Sequence, residues 1–404
     1  MIQSPVLKKI LDADCCSGCG LCASLAGAGV HMSYSAPGYL RPVQTRSISP
    51  ETDALIDAVC PGMRLDLRPQ AADNHLLWGP VVASRNGYAA NDALRYTASS
   101  GGVISALLLH LLETGAVDYV IQIAAAGEHP ARNVTTASAD PADVWAAAGS
   151  RYAPSAPLEK LGEHLSGPGR FAVVGKPCDI AAVRALALLD PRVDEKIPML
   201  LSFFCAGVPS TRGAEAIIEK LGTTADEASS FRYRGDGWPG FATVVTKSGE
   251  RRRMSYASSW GDILSKHLQF RCKICPDGSG GFADVVCGDA WVSDDRGYPK
   301  FAERDGRSLI VSRTRRGEEL VLAATAAGVI HTAPLPVDRI AAMQPSQAKR
   351  KRLVLSRLLA MRVVGRSVPR YAGLRLLDAA LSAGLVDNAR SFLGLIRRLV
   401  TRTA

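Results

Sequence analysis

The chain has 404 residues, 47% of them hydrophobic and 21% charged, and carries ten cysteines and a formal net charge of +10. Those proportions describe two or three ordinary globular domains, and a chain of this length buries its own core without a disulfide framework. No apolar run reaches the roughly 18 to 20 residues that a membrane-spanning helix needs. The opening Met1-Ile2-Gln3-Ser4-Pro5 leads to Lys8 and Lys9 with no apolar stretch or cleavage site behind it. No secretory signal is expected, and the cytoplasm, where thiols stay reduced, is the expected compartment.

The first unit, residues 1–78, is organised around Cys16-Ser17-Gly18-Cys19-Gly20-Leu21-Cys22. Three thiols at three-residue steps with glycines between them wrap a compact inorganic core and turn their amides toward sulfur, the pattern of an iron-sulfur cluster. Cys60, followed by Pro61, offers the fourth ligand. Zinc is the alternative, although its structural sites favour two separated CxxC or CxxH pairs. Cys15 competes with Cys16 as a ligand, and the spacing favours Cys16. Around the loop, Met32 to Val43 reads as a hairpin turning at Pro37-Gly38, and residues 49–60 as a helix capped by Ser49 with Pro50 first. The result is a small ferredoxin-like unit, part of whose folding energy comes from the metal.

Residues 79–160 change character. Val103 to Glu113 is an apolar helix ended by Gly115, and Val117 to Ile123 is a strand. Ser99-Ser100-Gly101-Gly102 stands before that helix, where small residues and free amides at the positive end of the dipole make a candidate seat for a cofactor's phosphates. A serine cap beside a flexible glycine pair is the alternative. In the loop Gly149 to Ser155, Arg151 is a candidate to face an anion and Tyr152 a ring, unless the loop is an ordinary surface turn.

Residues 161–335 alternate strand, loop and helix. Arg170 to Gly175 is a buried-strand pattern with Cys178 just beyond its end, and Met199 to Phe204 repeats it with Cys205 at its end. Ligands of open α/β sheets gather beyond the carboxyl ends of strands. Cys178, Cys205, Cys272 and Cys275 therefore form a second candidate ligand set around one crevice. Lys176 either stabilises a reduced cofactor or is solvated. Phe231 to Gly240 leads into the strand Phe241 to Thr246, a turn at Ser248-Gly249 and Arg251 onward, which reads as a hairpin whose arginines and aromatics line a substrate pocket or pack on Trp238. Ala283 to Trp291 is a further strand, with Asp289 placed to cap a helix or to bind a cofactor hydroxyl. Cys287 is left over as a small buried hydrophobe.

Residues 336–404 are expected to form a basic helical tail. From Lys349 onward thirteen Lys and Arg stand against two Asp, a net of +11, so the rest of the chain is close to neutral. Leucine spacing predicts two or three amphipathic helices with arginines on their outer faces. Such faces suit an acidic partner protein or the inner surface of a membrane, or are simply solvated. Nucleic acid is not an expected partner, because no aromatic platform or recognition motif accompanies the arginines.

The cysteine loop, Pro37-Gly38-Tyr39-Leu40-Arg41-Pro42, Cys60-Pro61-Gly62, Ser99-Ser100-Gly101-Gly102-Val103, Gly175-Lys176-Pro177-Cys178, Arg271-Cys272-Lys273-Ile274-Cys275-Pro276 and Gly288-Asp289-Ala290-Trp291 together resemble the coenzyme F420 hydrogenase/dehydrogenase beta subunit family. The likeness runs from about residue 12 to about residue 320 and leaves out the tail. It implies FAD, one or two 4Fe-4S clusters, and electron exchange with a ferredoxin-like partner, on a deazaflavin or another organic substrate. The fold it implies is α/β (mixed α+β): a small ferredoxin-like cluster unit, an α/β flavin-binding core and a helical tail. Two functions follow as expectations, an oxidoreductase with its own substrate pocket or an electron-relay subunit that docks a partner through the tail.

Overall fold

The computed structural model describes residues 2–67, 73–292, 300 and 302–401, so Arg402 of the expected tail lies outside the described residues. Four apolar runs build its centre. Tyr119–Ala125, Phe171–Gly175, Met199–Phe203 and Val285–Asp289 lie side by side and parallel. Successive side chains of a strand point to opposite faces. Val120, Ala172 and Leu201 accordingly pack with Leu107, Leu111 and Val321 of the helices Val103–Glu113 and Arg315–Ala326. Ile121, Val173 and Leu200 pack on the other face with Ile180 and Val183 of the helix Pro177–Ala187. Burial on both faces is what makes these strands continuous apolar runs. Antiparallel strands extend the sheet to eight, Asn133–Ser138 on one side and Ser308–Ser312, Ala83–Ala89 and Ile330–Pro334 on the other.

The N-terminal unit stands beside this sheet. Its hairpin pairs Val30–Ser35 with Tyr39–Gln44, and its helix Pro50–Val59 starts where Ser49 accepts a hydrogen bond from the Thr52 amide. The hairpin expected near Phe241 is part of a three-stranded sheet of Ala228–Arg232, Phe241–Thr246 and Arg251–Ser255.

The C-terminal segment does not stand apart as a tail. Its helices Pro345–Val363 and Leu385–Thr401 bury Val354, Leu358, Met361, Leu395 and Leu399 in the same core as Leu7, Ile10, Cys16 and Ile56. A short strand, Arg370–Ala372, pairs in parallel with Arg64–Asp66 of the first unit. The boundaries expected near residues 78 and 336 therefore divide one shared core. Nor do all the basic residues face outward, because Lys351 is buried and donates to the Pro276 carbonyl at 3.1 Å. Long cationic side chains bury their stems and reach acceptors that periodicity along one helix does not reveal. Among the described residues no helix is long and apolar enough to cross a membrane.

Candidate functional site

The first cysteine loop is shaped by glycine. Gly20 sits at φ +89° at the head of the helix Leu21–Ala26, and a side chain there would meet the Glu159 backbone nitrogen at 2.8 Å. This tight path turns amides toward sulfur. Gly18 donates to Cys16 Sγ at 3.4 Å, and the amides of Leu21, Ala23, Gly62 and Met63 face the thiols of Cys19, Cys22 and Cys60. Burial pushes the Cys19 thiol up to about 11, with Asp179 and Cys16 adding to it. Burial likewise raises Cys22 and Cys60, and in both the neighbouring thiols of the same set add to the effect. Buried thiols that raise their neighbours become thiolates together only where a cationic core compensates them. Cys15 is fully buried, donates to the Ala13 carbonyl at 3.4 Å, and does not figure among the thiols that raise Cys19, Cys22 or Cys60.

The second set comes together from four places in the fold. Cys178 lies in the first turn of the helix that follows the 171–175 strand, and Cys205 follows the neighbouring 199–203 strand. Cys272 and Cys275 belong to the loop around the short helix Phe270–Lys273. Burial raises Cys178, with Asp179 and Cys205 adding, and pushes Cys205 up to about 12, with Cys272 and Cys275 adding. The Val208 amide donates to Cys272 Sγ at 3.3 Å. The helix Pro345–Val363 ties down the loops of this set: Gln347 donates to the Cys205 carbonyl at 2.9 Å, Arg350 to the Ala206 carbonyl at 3.1 Å, and Arg357 to the Lys273 carbonyl at 2.6 Å. All ten cysteines are free thiols. Among the described residues no three His, Cys, Asp or Glu side chains converge on a point where one metal ion fits.

A cavity of about 220 Å³ opens beyond the carboxyl ends of the four parallel strands. Ser99, Ser100, Gly102, Arg151, Tyr152, Lys176 and Asp289 all line it, and so does Cys205 of the second set. Gly101 stands behind the wall, its amide donating to Ser308 Oγ at 3.0 Å. The helix Val103–Glu113 begins at Gly102, at φ +74°, with no side-chain cap, which leaves its first amides directed at the cavity end. Cys287 also lines the cavity and is otherwise packed in the core as expected.

Several of these side chains are committed to the protein. Arg151 donates to the carbonyls of Pro130, Arg132 and Phe231 and to Asn133 Oδ1, so it clasps a loop. Burial lowers its pKa, because no carboxylate offsets the lost hydration. Lys176 is not solvated: it is 5% exposed, pairs with Asp179 at 2.8 Å and donates to Ser155. Burial favours its neutral form most strongly, but the Asp179 carboxylate together with the thiols of Cys178 and Cys19 offsets that and holds the ammonium above its ordinary value. Among the described residues Asp289 caps no helix. It accepts both ends of the Arg234 fork at 2.6 and 2.8 Å and the Trp238 indole at 2.7 Å. Arg234 is itself 2% exposed, with Tyr256 and Trp291 against its guanidinium at 4.7 and 5.0 Å.

Replacing Asp289 with alanine leaves the Arg234 charge buried and unpaired. A loss of about 3 to 5 kcal/mol is expected, read by urea denaturation, with Asp289→Asn milder because an amide oxygen still accepts one donor. Gln122, Phe203 and Phe204 also line the cavity. Gln122 leaves a signal in the sequence, a polar residue inside an apolar strand; the two phenylalanines leave none.

Two family models match the chain: coenzyme F420 hydrogenase/dehydrogenase, beta subunit N-terminus over residues 86–162, and the C-terminus of the same subunit over residues 169–338. The chain is 25% identical over 330 residues to a coenzyme F420-dependent sulfite reductase of Methanocaldococcus jannaschii, covering 78% of itself and 46% of that protein. It thus spans about half the length of that relative. It is 23% identical over 321 residues to one of the subunits of the F(420)H(2) dehydrogenase of Methanosarcina mazei, covering 78% of itself and 84% of that polypeptide. With the coenzyme F420 hydrogenase subunit beta of Methanococcus voltae it shares 28% identity over 248 residues, 58% of the chain and 78% of the subunit. A chain of the F420-reducing [NiFe] hydrogenase complex from Methanosarcina barkeri has the same fold, with a TM-score of 0.57 at 22% identity over 74% of this chain and 98% of that one. The two models together span most of residues 86–338, which hold the cavity and the second cysteine set, and on that ground the chain belongs to the coenzyme F420 hydrogenase/dehydrogenase beta subunit family.

Proposed function

We propose that this chain is an iron-sulfur flavoprotein oxidoreductase that links one-electron transfer to two-electron chemistry on an organic substrate, a deazaflavin being the first candidate. One observation carries the reading. A single cavity joins the uncapped head of the 103–113 helix to Cys205 of the second cysteine set. Cys16, Cys19, Cys22 and Cys60 would hold one 4Fe-4S cluster, and Cys178, Cys205, Cys272 and Cys275 the other. The donor chemistry suits them: four thiols each, with backbone amides turned to sulfur.

FAD is the group this reading assigns to the cavity. Ser99, Ser100 and Gly102 leave room for phosphates at the helix head, and Phe203, Phe204 and Tyr152 present apolar or ring surface. A bound flavin exchanges electrons in pairs with organic substrates and singly with clusters. The chain's own part is to hold and to exclude. The buried Lys176 ammonium keeps a positive charge at the wall, while the Arg234–Asp289 pair fixes one side of the cavity against collapse. A ferredoxin-like donor or acceptor is the partner this reading requires, and the cytoplasm is its compartment.

Protein purified without oxygen is expected to hold roughly eight irons, equal sulfide and one FAD. Colourless protein carrying zinc would overturn the proposal.

A second reading, an electron-relay subunit without a substrate of its own, draws support from the relatives described as subunits. The outer face of the C-terminal helices suits docking to an acidic partner or a membrane surface, since Leu377, Leu381, Leu385 and Leu393 are exposed there beside Arg390 and Arg397. Turnover of reduced deazaflavin with a viologen dye by the chain alone favours the enzyme. Turnover only after a partner subunit is added favours the relay.

A further inference from the structure

Arg271 lies where the two cysteine sets meet. Its side chain is 2% exposed, it is the chain neighbour of Cys272, and its Nη2 donates to the carbonyl of Pro61, the neighbour of Cys60, at 2.7 Å. One residue therefore belongs to the loop of the second set and bonds the loop of the first. Tyr371 covers it, ring centroid at 5.5 Å, and among the described residues the buried Tyr371 hydroxyl has no hydrogen-bond partner. Arg271 Nε is also buried without a partner among the described residues. The titratable groups that act on it are the Tyr371 phenol and the thiols of Cys275, Cys178 and Cys15, with no carboxylate among them. Arg234, buried to the same degree, has Asp289.

A guanidinium stays protonated in any protein environment, and a buried charge without an anion is strongly disfavoured. The missing anion is supplied if the cysteine sets are loaded. Four thiolates around an iron-sulfide core carry net negative charge, which grows by one on reduction, and cluster potentials follow net charge and burial. We propose that Arg271 is a fixed counter-charge shared by the two cysteine sets, a positioning residue that raises the reduction potential of both clusters. The inference rests on the reading of the two sets as clusters. It needs no proton, because the arginine keeps its charge in both redox states.

The test uses full-length protein purified without oxygen, with Arg271→Met, Arg271→Gln and Arg271→Lys. Gln keeps a donor for the Pro61 carbonyl and removes only the charge; Lys keeps the charge and loses the fork. Iron content is measured first, then both midpoints by redox titration followed by electron paramagnetic resonance. In the neutral variants the reduction equilibrium of each cluster is expected to shift at least tenfold toward the oxidised form, about 59 mV lower for one electron. In Arg271→Lys both midpoints are expected to stay within that margin of the wild type. Failure of both neutral variants to assemble iron, with wild-type iron in the Lys variant, also supports a charge requirement. A neutral variant with either midpoint unmoved overturns the proposal, as does loss of iron in all three folded variants, which assigns Arg271 a packing role. Wild-type protein without iron overturns the cluster reading instead, and the two failures are thereby distinct.

Discussion

Truncation before Pro345 is expected to unfold the N-terminal unit and abolish iron binding at both cysteine sets, rather than merely to undock a partner. The reason is the shared core. Leu353, Val354, Leu358, Met361, Leu395 and Leu399 are all buried, five of them in one cluster with Leu7, Ile10, Cys16 and Ile56. Removing one such side chain costs about 2 to 5 kcal/mol. Removing all of them exceeds the whole stability of an ordinary domain, about 5 to 15 kcal/mol. The second cysteine set loses more than packing, because Gln347, Arg350, Lys351 and Arg357 tie the loops of Cys205 and Cys272 to Cys275 in place through carbonyls. Circular dichroism and iron content check this. Truncated protein that melts like the full chain and keeps its iron would sink the idea of a shared core. Serine at Leu385 and Leu393, both exposed, tests docking without disturbing that core.

Single cysteine substitutions have the next largest expected effect. Cys16→Ala and Cys272→Ala are each expected to lower iron by roughly four per chain, and the double variant to lose nearly all of it. Cys15→Ala is the control: its thiol is tied to the Ala13 carbonyl, so full iron is expected. Iron lost equally from Cys15→Ala and Cys16→Ala would mean that the ligand assignment in that loop is wrong. Loss of all iron in either single variant would mean that the two sets do not load independently. In each variant the sulfide content must fall in step with iron, which separates cluster loss from metal scavenging.

Much of the site is local in the chain and is therefore legible in the sequence. A three-residue repeat of cysteines needs only the glycines between them to curl, and Gly18 and Gly20 do adopt the left-handed conformations that such a curl demands. Strand ends are equally readable, because a buried parallel strand is an apolar run and the residue after it lies at the sheet's carboxyl edge. That logic marks Lys176, Cys178, Cys205 and Asp289 from separate stretches, and the fold brings Lys176, Cys205 and Asp289 to one cavity, with Cys178 facing Cys205.

What each side chain does there is not legible in the same way. Lys176 and Asp289 look alike in sequence as polar residues after a strand. One finds its counter-charge three residues on, whereas the other takes Arg234 from 55 residues away. Arg151 is spent on carbonyls of two other segments. The C-terminal helices read as a basic tail because composition records charge but not direction. Three of those cations point inward only because the loop of the second cysteine set offers carbonyls on that side.

Spacings of a few residues and the order of motifs are enough to mark the strands that lead to Cys178 and Cys205, the two candidate ligand sets and the family. Long-range packing alone makes one cavity meet the second cysteine set, lets the C-terminal segment complete the N-terminal core, and leaves Arg271 buried without an anion. Those outcomes depend on contacts between segments tens to hundreds of residues apart. Burial there is settled by the packing of the whole chain, and no local pattern records it.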